Sequence, residues 1–256
     1  MEKKDTFTIV DNRTGKSYEI PLESGHLPAQ QLRQIKVDPE EYGTMAYAPG
    51  FMNVASCKSA ITYLDGDRGI LLYRGYPIQD LAEHCSFLEV AYLIIYGELP
   101  TKDQLEEWQR TIMENANLHE NIKTFMEGFR YDAHPMGMFI STVAALSTFY
   151  PDAKNVRDPE NRMLQIRRLI AKVPTIAAYA YRRSVGLPYV YPDSSLAYTE
   201  NFMHMLWKEP HRPYKAHPVL ARALDVLFIL HADREQNCST NTMRSVGSSE
   251  ADPCVA

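Results

Sequence analysis

The chain has no apolar run long enough to cross a bilayer. Its strongest apolar stretches, residues 87–96 and 226–230, are short, and Glu89 interrupts the first. A spanning helix needs about 20 consecutive apolar residues. No apolar leader is expected from Met1-Glu2-Lys3-Lys4-Asp5, which is charged and runs straight into an alternating segment. Positive charge is not in excess, the net charge being −5 over 256 residues. That excludes the bulk electrostatic grip of a basic protein on nucleic acid. Cysteine is sparse: Cys57, Cys85, Cys238 and Cys254 are scattered without a C-x-x-C pair. Neither a disulfide framework nor a zinc site is expected, and the reading is of buried thiols in a cytoplasmic protein. No Gly-rich phosphate loop, G-x-S-x-G turn or internal repeat is present.

What remains is an ordinary core-forming composition, 45% apolar and 23% charged, with two textures. The front reads as β. Thr6–Val10 and Ser17–Ile20 alternate on either side of turn residues 12–16, and residues 61–64 and 69–73 flank Asp65-Gly66-Asp67. From Pro77 the pattern is helical. Ser86 with Glu89, and Thr101 with Gln104, form capping boxes, and Gly97 and Pro100 stop the first of these helices. Pro135 suits a first turn, and Asp158-Pro159 opens a long run that Pro174 is expected to kink or break. Pro218 opens a helix over 219–230, apolar nearly all round and therefore expected at the centre of the core. Asp252-Pro253 reads as the start of another helix, which suggests a fragment. The expectation is a mainly α protein, with a β-rich extension over residues 1–50 and a helical domain over 51–256.

One polar cluster stands out: His231-Ala232-Asp233-Arg234-Glu235-Gln236-Asn237, at the end of the most apolar helix. His231 and Arg234 could cap that helix, with Asp233 as a local partner. Spacing alone favours the cap; the other reading is that they hold a carboxylate or a carbonyl oxygen at the edge of the core. His231 and Asp233 are two apart, which is not the i, i+4 pair of a helical metal site. His119 and His134 read as caps or core residues, and Arg167, Arg168 and Lys172 as a solvated stripe.

Several stretches, in order along the chain, resemble citrate synthase. They are Ser56-Cys57-Lys58-Ser59-Ala60-Ile61-Thr62-Tyr63-Leu64-Asp65-Gly66, then Gly69 to Ile78, Leu88 to Leu93 with Tyr96-Gly97-Glu98-Leu99-Pro100, His134-Pro135-Met136, Lys172 to Ala178, and Leu230 to Thr240. The β-rich front and the Glu235-Gln236-Asn237 spelling resemble the bacterial (type II) form, of which this chain is similar to the N-terminal part. The resemblance implies a multihelical large domain with a small N-terminal β unit. It also implies a homodimer or homohexamer that, without cofactor or metal, condenses acetyl-CoA with oxaloacetate in the tricarboxylic acid cycle, as citrate (Si)-synthase.

The family's His-x-Asp-His cluster maps onto residues 231–234, with Arg234 in place of the second His. The resemblance implies oxaloacetate contacts at His231, Arg234 and Asn237. The family's enol-stabilising His lies in a Gly-Pro-x-His-Gly-Gly stretch beyond residue 256, and its base, remaining arginines and small domain lie later still. No catalytic residue is therefore expected within this chain, and it is expected to be inactive alone. Some bacterial members are inhibited by NADH, and Tyr150, Arg168 and Lys172 match positions used there. Asn117 and His211 depart from the Met and Cys those members carry. The rival readings are a 2-methylcitrate synthase and a non-catalytic truncated or regulatory homologue.

Overall fold

The computed structural model describes residues 5–51, 53–251 and 254. The helix expected from Asp252-Pro253 falls outside them. The chain divides into two units, residues 1–59 and 60–256.

In the first unit, strands β1 (Thr6–Asp11) and β2 (Lys16–Pro21) form the expected antiparallel hairpin, with Ile9 opposite Tyr18. Asp11 closes its turn: the backbone carbonyl accepts from Thr14 and Gly15, and the carboxylate takes two bonds from the Arg13 guanidinium. After a 3₁₀ turn at Ala29–Gln34, Gly43 adopts φ +95°. A Cβ there would lie 2.1 Å from the Arg33 carbonyl oxygen, so only glycine lets the chain pass.

The second unit opens on a three-stranded antiparallel sheet, β3 (Thr62–Asp65), β4 (Ile70–Tyr73) and β5 (Tyr76–Pro77), in which Thr62 sits opposite Tyr73. Nine helices follow among the described residues: α1 (Ile78–His84), α2 (Phe87–Tyr96), α3 (Lys102–Glu114), α4 (Glu120–Glu127), α5 (Pro135–Ala145), α6 (Pro159–Ser184), α7 (Tyr198–Trp207), α8 (Pro218–Leu230) and α9 (Cys238–Gly247). Both capping boxes form, and Gly97 closes α2 in the left-handed region. His119 and His134 are caps: each Nδ1 accepts a backbone N–H two residues on. Buried side chains gather around α6, where Ile122, Met126, Met138, Ile176 and Tyr179 pack together, and around α2, where Trp108 donates to the Leu88 carbonyl.

Pro174 does not break α6, which runs unbroken for 26 residues. A proline has no N–H to give the carbonyl four residues earlier, here Ile170. The Tyr198 hydroxyl of α7 supplies that bond at 2.8 Å.

The expectation for α8 is corrected. Only Ala221, Asp225 and Ile229 are buried, while Val219, Leu220 and Leu227 are more than half exposed. Its packed face meets α1, α2 and α7, and the rest of its apolar surface has no partner in the described chain. The packed face is held by polar contacts. Arg222 donates to the Glu83 and Cys85 carbonyls at the end of α1 and pairs with Asp225, whose other oxygen accepts the Phe87 N–H. The expectation of buried thiols is also corrected: Cys254 is buried, Cys57 and Cys85 are half-buried and Cys238 is exposed.

Candidate functional site

The turn from α8 to α9 carries all three oxaloacetate candidates, and all three are exposed. His231 ends α8, and its Nδ1 lies 2.8 Å from the Leu227 carbonyl oxygen. Because a carbonyl only accepts, Nδ1 carries the proton. The outer nitrogen, Nε2, is then an acceptor in the neutral ring and a donor in the imidazolium form. Arg234 caps nothing: its guanidinium makes no hydrogen bond or ion pair among the described residues. The capping alternative therefore holds for His231 and fails for Arg234. Asn237 caps α9 through Oδ1, which accepts the Thr240 N–H at 2.9 Å, leaving its amide nitrogen as a donor.

Asp233 is not the local partner of His231 or Arg234. Its carboxylate accepts from the Thr62 hydroxyl of β3, and its backbone carbonyl accepts from the Tyr73 hydroxyl of β4 at 3.0 Å. Between Asp233 and Asn237 the chain turns through Glu235 at φ +57°, a left-handed conformation that disfavours a non-glycine residue. Thr62 and Tyr73 escaped the sequence reading, since nothing local marks a contact 160 or more residues away. Beneath His231 an apolar cavity of ≈ 510 Å³ opens between α5, α6, α7 and α8, lined by Met136, Phe139, Pro174, Phe202 and Phe228 among others.

The second candidate set also comes together. The Arg168 guanidinium lies 4.4 Å from the Tyr150 ring centroid and pairs with Asp152 at 2.9 Å; Lys172 Nζ is 5.5 Å from the same ring. The stripe is not solvated, however. Lys172 is buried, and its ammonium donates to the Asn115 and Asn117 carbonyls at 2.7 and 2.5 Å. One turn on, the Thr175 hydroxyl donates to the Ala116 carbonyl. Burial, and secondarily the Arg168 charge, push the Lys172 pKa down to about 8. Arg167 is also engaged, donating to the Tyr96 hydroxyl at 3.0 Å.

Among the described residues no group of three His, Cys, Asp or Glu side chains is placed to hold a metal, and no helix is long and apolar enough to cross a membrane.

Comparison with known proteins agrees with this architecture. Residues 50–256 match the family "Citrate synthase, C-terminal domain". The chain is 55% identical to a citrate synthase of Dictyostelium discoideum, across 100% of its own length and 51% of that protein's. It is 52% identical to a peroxisomal citrate synthase of the same organism, across 98% of this chain and 53% of the relative. The chain thus spans about half the length of these curated relatives. The crystal structure of citrate synthase from Pyrobaculum aerophilum superposes with a TM-score of 0.74 at 32% identity, over 86% of this chain and 57% of that one. The mainly helical fold is that of these enzymes, and the chain belongs to the citrate synthase family.

Proposed function

We propose that this chain provides the oxaloacetate-facing turn of a citrate synthase that condenses acetyl-CoA with oxaloacetate to citrate and CoA. The observation carrying the proposal is the α8–α9 turn, where His231, Arg234 and Asn237 stand exposed in a chain of this family. In the imidazolium form His231 donates from Nε2, and Arg234 adds a permanent charge with a bidentate fork. Together they suit a dicarboxylate. The resemblance puts the general base, the enol-stabilising group and the small domain in sequence beyond residue 256.

The test compares the purified 256-residue chain with a full-length form of the enzyme, following citrate from acetyl-CoA and oxaloacetate. Activity is expected from the full-length form alone; product scaling with the concentration of the short chain would overturn this. Propionyl-CoA run in parallel separates a 2-methylcitrate synthase, for which it would be the better substrate.

Four finer readings belong to the same proposal. The division into a β-rich extension and the first part of a helical large domain follows the bacterial form, although the curated relatives compared above are eukaryotic. Assembly as a homodimer or homohexamer is supported by the uncovered apolar side chains Met136, Ile140, Val219, Leu220 and Leu227, and sedimentation velocity tests it. NADH control would act through Tyr150 and Arg168, since Lys172 is committed to carbonyls. A titration of the full-length enzyme without effect on rate would remove it. The peroxisomal name of one relative sets that organelle beside the cytoplasm as a compartment to test by fluorescence localisation.

A further inference from the structure

The turn bearing His231, Arg234 and Asn237 lacks the support of regular structure, yet it must present its side chains in one geometry to be a binding element. Its fixed points come from the β3–β4 hairpin. Thr62 and Tyr73 are opposite one another across that antiparallel pair, and both reach Asp233. The Tyr73 hydroxyl donates to the Asp233 carbonyl at 3.0 Å, lies 3.4 Å from the Leu230 carbonyl at the end of α8, and is 3.5 Å from the Asp233 N–H. Thr62 donates its hydroxyl to Asp233 Oδ2, and the same oxygen is 3.4 Å from the Glu235 N–H. The Tyr73 ring is fully buried, packed with Leu81, Val90, Leu93 and Ile229. It therefore anchors its hydroxyl to a rigid body, the condition for one group to orient another. Leu230 and Asp233 bracket His231, so Tyr73 grips the chain on both sides of the candidate ligand.

We propose that Tyr73, assisted by Thr62, is a positioning residue for oxaloacetate. It clamps the α8–α9 turn so that His231 and Arg234 meet the dicarboxylate in a single arrangement, and it touches no substrate itself. The inference rests on the oxaloacetate role proposed above for that turn. It assigns function to a hairpin far away in sequence, and it explains how a left-handed Glu235 is tolerated: Thr62 and Tyr73 fix Asp233, two residues earlier, and the Asp233 carboxylate lies 3.4 Å from the Glu235 N–H, so the backbone there is over-determined.

Two variants and two readouts test it. Tyr73→Phe keeps the buried ring and removes only the hydroxyl; Thr62→Val removes the second contact and keeps the side-chain volume. In the 256-residue chain, amide hydrogen exchange of residues 232–237 is expected to quicken by at least about 10-fold in Tyr73→Phe, while amides of α2 and α6 stay within about 2-fold. In the full-length enzyme the same change is expected to raise KM for oxaloacetate about 5-fold, the scale of one hydrogen bond. KM for acetyl-CoA and kcat are expected to move less than 2-fold. Thr62→Val should shift both readouts in the same direction by a smaller factor. Unchanged exchange in the turn would overturn the clamp. Faster exchange with an unchanged oxaloacetate KM would overturn the positioning role and leave a purely structural contact. If the full-length protein makes no citrate, the functional reading above fails by itself, and oxaloacetate binding by calorimetry, wild type against Tyr73→Phe, decides the positioning role.

Discussion

Two clusters of cationic side chains, read from the sequence in the same way, have opposite fates in the fold. Around Tyr150, the charges are spent inside the molecule. Lys172 is buried and gives its protons to the carbonyls of the α3–α4 connection, while Arg168 lies against the Tyr150 ring and Asp152. Around His231 the charges face solvent, and Arg234 has no hydrogen-bonding partner among the described residues. A charge whose donors are all satisfied by backbone holds structure, and one left unspent on a fixed backbone is available to a ligand. Residue type does not separate the two roles, but the bookkeeping of donors and acceptors does.

Substitutions sharpen the contrast. The largest effect on folding is expected from Lys172→Met, which leaves the Asn115 and Asn117 carbonyls without their donor. About 2–3 kcal/mol of stability should be lost in urea denaturation. A smaller, pH-dependent effect is expected from His204, buried on α7, whose pKa is lowered mainly by burial and further by Lys208. A histidine harder to protonate in the folded state than in the unfolded one favours unfolding as acid is added. Its contribution is complete above the unfolded value of about 6.5 and declines as pH falls below it. Thermal melts between pH 7 and 5.5 should show that slope, and His204→Gln should flatten it. The smallest folding effect is expected from His231→Ala, under about 0.5 kcal/mol for an exposed side chain. In the full-length enzyme the same change should raise KM for oxaloacetate by more than about 10-fold. A large loss of stability with KM unchanged would invert the assignment of the two clusters.

Much of this was legible in the residues, for identifiable reasons. α2 and α3 announce themselves because Ser86, Glu89, Thr101 and Gln104 satisfy each helix's first amides locally. α4, α7 and α9 do not. α4 starts on a histidine cap, α7 follows Ala197, which offers no side-chain cap, and α9 opens on Cys238-Ser239-Thr240-Asn241-Thr242, whose helical preference is weak. Asn237 does cap α9, accepting the Thr240 N–H, but no residue of α9 is buried to mark a core-facing side. At the candidate site, the polar density of residues 231–237 was visible. Asp233's use by Thr62 and Tyr73 was not, since partners so distant in sequence are set by topology alone. The apolar sequence of α8 misled in another way, because residue type reports what prefers burial and not whether a partner element is present to provide it.

The continuity of α6 has a consequence for how this chain can vary. Pro174 removes a donor and Tyr198 replaces it, so two residues on different helices share one hydrogen-bonding duty. Their substitutions are not independent. Tyr198→Phe should cost about 1–2 kcal/mol while Pro174 is present, because the Ile170 carbonyl then has no donor. With Pro174→Ala in place the same change should be nearly silent, since the helix supplies the bond itself. A double-mutant cycle on unfolding free energy would read the difference as a coupling energy. Along a lineage the tyrosine becomes free to drift only after the proline has gone, so the order of the two replacements is constrained by one missing proton.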